Sequence, residues 1–80
     1  MNHDDVWNAI ERFAGEHNMS CSRLARQSGL DATTFNRSKR WSKEGKNRWP
    51  SMQSISKILT ATGEGIDGFV KFLPKNKAQH

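Results

Sequence analysis

The 80-residue chain holds a single cysteine, Cys21, and no long hydrophobic run. A lone cysteine excludes an internal disulfide framework and fits a reducing, cytosolic setting. No stretch nears the ~20 apolar residues that a membrane span needs. The start Met1-Asn2-His3-Asp4-Asp5 lacks a basic region followed by an apolar block, so no secretory signal is expected. Apolar residues are scarce at 34%, enough for short helices that share one core. A chain of this length buries only about 60% of its unfolded surface, which leaves room for one small domain. Such a domain seldom encloses a substrate pocket as well as a core. An enzyme, a small-molecule substrate and a cofactor are therefore not expected. Internal repeats and segments of strand period are also lacking, and the fold class expected is all-α.

Acidic residues are the other shortage. Lys and Arg number 13 against 8 Asp and Glu, a formal charge of +5. Between Arg37 and Arg48 stand Arg37, Lys39, Arg40, Lys43, Lys46 and Arg48, opposed only by Glu44, a local charge of six minus one, or +5. Seven basic and seven acidic residues make the rest of the chain neutral. The whole excess lies in one twelve-residue stretch. A basic cluster beside a neutral body points to a polyanionic partner.

Apolar spacing organises the remainder. Val6, Trp7, Ile10, Phe13 and Ala14 form the stripe of an amphipathic helix over about 4–16, capped by Asn2 or the Asp4-Asp5 pair and weakened at Gly15. Ser20 caps a second helix over about 20–28, with Met19 as a staple residue outside it. Asp31 offers a cap for a third helix over 31–40, whose first two turns hold one large apolar residue, Phe35. Trp41 to Pro50 reads as a loop containing Gly45. Ser51 caps a fourth helix over 51–62 with Met52, Ile55, Ile58 and Leu59 inward. A fifth, over 66–73, carries Ile66, Phe69, Val70 and Leu73 on one side, a stripe that reads as core. Residues 74–80 read as a tail or the start of a linker.

Helices two and three are joined by a short turn at Gly29, with Leu24-Ala25 before it and Leu30 and Phe35 after. Ala25 is small where the helices cross, Gly29 permits the sharp turn, and Leu30 and Phe35 pin both sides to the core. This is the pattern of a helix-turn-helix. From Ser20 to Arg40, and on through Trp49-Pro50-Ser51 to Leu59, the sequence resembles the lambda-repressor-like (XRE-type) DNA-binding domains, above all the N-terminal domains of phage-type repressors. The resemblance covers roughly residues 5–73. It implies a compact five-helix fold over 1–73 and double-stranded DNA as partner. It further implies a homodimer on a palindromic operator and a nucleoid-associated, cytoplasmic repressor with no membrane contact. In many such repressors a LexA-like autoproteolytic domain follows, to which the tail would lead.

Carried over by position, the resemblance implies base reading by Ala32, Thr33, Asn36, Arg37 and Arg40. Ala32 suits a thymine methyl, Asn36 adenine and Arg37 guanine. Lys39, Lys43, Lys46, Asn47 and Arg48 suit flanking phosphates, and Ser20 and Ser22 a phosphate at the start of the second helix. The sequence departs from its relatives in one respect: the paired glutamines of many phage repressors are replaced by Cys21 and Ala32. Trp41 and Trp49 bracket the loop and read as packing residues that shape it. His17 and Cys21 lack third and fourth ligands at usable spacing, so no metal is expected. The alternative is a protein-interaction or antitoxin-like module of the same fold, with the basic loop docked on an acidic partner.

Overall fold

The capping residues set the helix starts. Asn2 Oδ1 accepts from the Asp5 amide at 3.0 Å while Asp5 Oδ2 accepts from the Asn2 amide at 2.8 Å, a capping box that opens α1, His3–Glu16. α1 runs through Gly15, and the chain turns at Asn18 with φ 58°. Ser20 accepts from the Arg23 amide to open α2, Cys21–Gln27. Gly29, at φ 77°, ends it in a left-handed turn that lets the Leu30 amide reach the Ala25 carbonyl at 2.9 Å. Ser51 caps α3, Met52–Thr62, and α4 is Asp67–Val70. The computed structural model describes residues 1–74, so the tail beyond Pro74 lies outside the described residues.

α1 packs against α2 and α4, and α2 packs against α3. Phe13, Ile10, Leu24 and Ile58 are fully enclosed at the centre, joined by Val6, Trp7, Ala9, Ala14, Ala25, Phe35, Ile55 and Phe69. Phe13 meets Phe69 and Phe72 edge-on at 6.0 and 6.5 Å between ring centres. The chain is all-α in its regular elements, with four α-helices and one 3-10 helix among the described residues.

Two expected helices are corrected. The helix expected over 31–40 is not formed as one element. Asp31 Oδ1 accepts both the Thr33 amide, at 2.8 Å, and the Thr33 hydroxyl, at 2.6 Å. A single tight turn follows, with the Thr34 amide on the Asp31 carbonyl and the Asn36 amide on that of Thr33. Asn36 is then extended, at ψ 151°, and the chain coils again only as the 3-10 helix Arg37–Arg40. The cause is visible in the residues. Phe35 is the lone large apolar anchor, two adjacent threonines disfavour a helix, and the Asp31 side chain competes for the backbone. The helix expected over 66–73 is likewise shorter. Its regular part is Asp67–Val70, and Phe72 and Leu73 follow in turns bonded to Phe69 and Val70.

Candidate nucleic-acid interface

The basic stretch comprises the 3-10 helix and a small hairpin. Trp41 and Asn47 form an antiparallel bridge, and the Ser42 amide donates to the Lys46 carbonyl at 2.8 Å. Between them Lys43, Glu44 and Gly45 make the turn, closed by the Gly45 amide on the Ser42 carbonyl at 2.9 Å. Gly45 has φ 80°, the left-handed residue that a three-residue hairpin loop requires. The loop expected here thus has defined geometry, and Lys43 and Lys46 flank its tip.

α1 holds the root of this hairpin. His3, only 5% exposed, has Nε2 2.6 Å from the Arg40 carbonyl. The Trp7 indole N–H donates to the Arg48 carbonyl at 2.9 Å, and the Arg48 amide donates to the Arg40 carbonyl at 2.8 Å. Around the His3 ring stand the chain's three tryptophans: Trp41 and Trp49 at 5.9 Å and Trp7 at 6.4 Å. Trp41 and Trp49 thus pack on His3 beside the hairpin while each keeps an exposed edge.

Thr33, Asn36, Arg37 and Lys39 are exposed on the turn and the 3-10 helix, and Ala32 is half-buried. Lys43, Lys46, Asn47 and Arg48 are exposed on the hairpin. Arg40, expected beside Asn36 and Arg37 as a base reader, is placed differently. Its side chain is 3% exposed, its guanidinium pairs with Glu11, and it lies 5.5 Å from the Trp7 ring centre. An arginine committed inward cannot reach a base edge. Ser20 and Ser22 are engaged at the start of α2, Ser20 as its cap and Ser22 accepting from Arg26 Nη1 at 3.1 Å.

A cleft of about 420 Å³ brings several of these groups together. Thr33, Thr34, Lys39, Arg48, Trp49, Ser51 and Ser54 form its walls, with Trp7 and Phe35 also lining it. Lys39, Arg48 and the opening turn of α3 make this edge attractive to an anionic group. Asp31 also lines the cleft, and Oδ1 of its carboxylate is occupied by Thr33. The hydrogen bonds from the Thr33 hydroxyl and amide hold the Asp31 carboxyl below the usual carboxylate range. Ser20 and Ser22 do not line this cleft.

Cys21 is half-buried at the first turn of α2, and burial first, then the Glu11 carboxylate, pushes its thiol pKa up. Among the described residues no three His, Cys, Asp or Glu side chains gather, and no helix is long and apolar enough to cross a membrane. Sequence reasoning missed His3 and Glu11. The signal for His3 was present, since it continues the buried face of Trp7, Ile10 and Ala14 one turn back. Compared with protein-family models, curated proteins and solved structures, the chain matches none.

Proposed function

We propose that the chain is a sequence-specific DNA-binding domain of a bacterial or phage transcriptional regulator. In this reading it is a repressor that occupies a palindromic operator as a dimer. The observation that carries the proposal is the segregation of charge. A neutral body presents Arg37, Lys39, Lys43, Lys46 and Arg48 as exposed cations on one short helix and one hairpin, against the single carboxylate of Glu44. The lambda-repressor-like resemblance supports the class. Base reading falls to Asn36 and Arg37, with Thr33 and Ala32 beside them. Without an α-helix over 31–40, these residues would meet the groove from a turn and a 3-10 helix. Lys39, Lys43, Lys46, Asn47 and Arg48 would run along phosphates and fix register.

The dimer contact belongs, in this reading, to the opposite side of Trp49. Met1, Met52, Ile66 and Val70 are all about half exposed or more, and they rim an apolar groove of about 240 Å³ floored by Ile55 and Phe69. The stripe expected to serve as core is divided. Phe69 points inward, while Ile66 and Val70 remain uncovered.

Anisotropy titration of labelled random duplex DNA, at low salt and at about 0.2 M, tests the proposal. Binding at low salt should weaken with a log–log slope near −4 for four or five phosphate contacts per domain. A chain that fails to bind duplex at low salt is not a DNA-binding domain. The acidic-protein partner then becomes the better reading.

A further inference from the structure

Two donors on the first two turns of α1 end on two backbone carbonyls at the root of the basic hairpin. His3 Nε2 lies 2.6 Å from the Arg40 carbonyl, and Trp7 Nε1 lies 2.9 Å from the Arg48 carbonyl. These two carbonyls flank the hairpin, and the Arg48 amide joins its two arms by donating to the Arg40 carbonyl. The hydrogen-bond inventory fixes which atom carries which proton. Trp7 Nε1 also lies 3.1 Å from His3 Nε2, and an indole has one proton to give. A carbonyl only accepts, so Nε2 must be the donor to Arg40, and the indole proton then goes to Arg48. Nδ1 of His3 faces Asp4 Oδ1 at 3.3 Å.

A polar side chain buried this deeply near the start of a chain is costly unless it is hydrogen-bonded. Here its partner lies 37 positions away and belongs to the element that carries Lys43 and Lys46. The largest fully buried side chains, Phe13, Ile10, Leu24 and Ile58, take no part in these bonds, while Trp7 belongs both to the core and to the hairpin root.

We propose that His3 and Trp7 are positioning residues for the basic hairpin. They hold its two arms at a set angle to the body, so that Lys43 and Lys46 meet an anionic surface already ordered. Binding by a pre-ordered hairpin avoids the entropy cost of arranging it at contact. That the surface is DNA rests on the function proposed above, whereas the fastening of the hairpin is measurable without DNA.

The test uses three variants of the whole chain. Trp7→Phe removes the indole N–H and keeps an aromatic ring. His3→Ala removes both donor and ring, and His3→Gln returns a donor at the Nε2 distance. Amide hydrogen exchange at Ser42 and Arg48 is followed beside that of α2 and α3. Trp7→Phe and His3→Ala should speed exchange at the two hairpin amides about tenfold or more and leave α2 and α3 at their original rates. His3→Gln should restore much of the protection. Duplex affinity at low salt should fall about tenfold in the same two variants. Unchanged hairpin exchange in Trp7→Phe overturns the proposal, and so does exchange raised equally in α2 and α3. Should His3→Ala fail to fold, Trp7→Phe decides alone. A loosened hairpin in the variants, with an original chain that binds no duplex, upholds the fastening and overturns only the DNA reading.

Discussion

The guanidinium of Arg40 is buried against the carboxylate of Glu11, 29 positions earlier, and lies 5.5 Å from the centre of the Trp7 ring. It ties the end of the 3-10 helix to the middle of α1. Arg40→Ala should therefore cost stability and not specificity. Removing one partner of a fully buried ion pair costs about 3–5 kcal/mol. Glu11 is 44% exposed and Arg40 Nε finds no partner among the described residues, so a loss of about 2 kcal/mol is expected. That corresponds to a fall of roughly 8–16 °C in melting temperature for a domain of this size. A thermal melt checks it. An unchanged melt with relaxed base preference would return Arg40 to the readers.

Arg37 and Lys46 should fail in different ways. Arg37→Ala is expected to relax preference at one base pair, with a loss of about 1–3 kcal/mol on the cognate site and little on random duplex. Lys46→Ala should weaken all sequences alike and flatten the salt slope by about 1. Titrations on selected and random duplexes at several salt concentrations separate the two. Equal losses from both variants on both DNAs would contradict this division.

Asp31 makes the turn before the 3-10 helix sensitive to acid. Its carboxyl is held below the ordinary value of 3.8 by the Thr33 hydroxyl and amide, so the folded form prefers it ionised. The sign follows from linkage: the stabilising contribution is full above the unfolded value and is lost as pH falls through the lower folded one. The difference in stability between the original chain and Asp31→Asn should be constant near neutrality and shrink below about pH 4. Melts of both across that range measure it. A difference that does not change with pH would show that charge on Asp31 is irrelevant to the turn.

Cys21 should be a slow nucleophile. Burial and the Glu11 carboxylate raise its thiol pKa above the ordinary 9.0, against a smaller opposite pull from Arg40. At neutral pH the thiolate is scarce, and reaction with iodoacetamide should lag behind that of a free cysteine and accelerate only above about pH 9. Rapid alkylation at pH 7 would reveal an exposed, activated thiol.

Val70→Asp places a charge on the rim of the apolar groove without touching the core, since Val70 is 47% exposed. The helical content and melting temperature should hardly change. Binding to a palindromic site should lose cooperativity and binding to a half-site should not. Sedimentation of the chain on each DNA reads both outcomes. Cooperativity that persists in Val70→Asp would move the dimer contact elsewhere.

The elements most legible from sequence were those whose information is local. Asn2, Ser20 and Ser51 cap the helices they precede, and the stripe from Val6 to Ala14 lies buried in α1. Gly29 marks its turn for a reason that one residue carries alone. The segment 31–40 has the cap and spacing of a helix but lacks the apolar face that holds one. Phe35 alone could not outweigh the bonds that Asp31 makes to Thr33. The commitment of Arg40 was invisible because its partners, Glu11 and Trp7, lie far back in the chain. For His3 the burial was legible, as a continuation of the inward face of α1, but its partner was not, since the carbonyl it meets lies 37 residues away.

The attachments at the hairpin root have an evolutionary consequence. Both donors from α1 land on main-chain carbonyls, which every amino acid possesses. Positions 43, 44, 46 and 48 can therefore exchange side chains while the hairpin keeps its place, provided that Gly45 stays to make the turn. The body of the domain acts as a mount, and the hairpin as an interchangeable head. A lineage could retarget this surface by substituting a few exposed residues, without rebuilding the scaffold beneath.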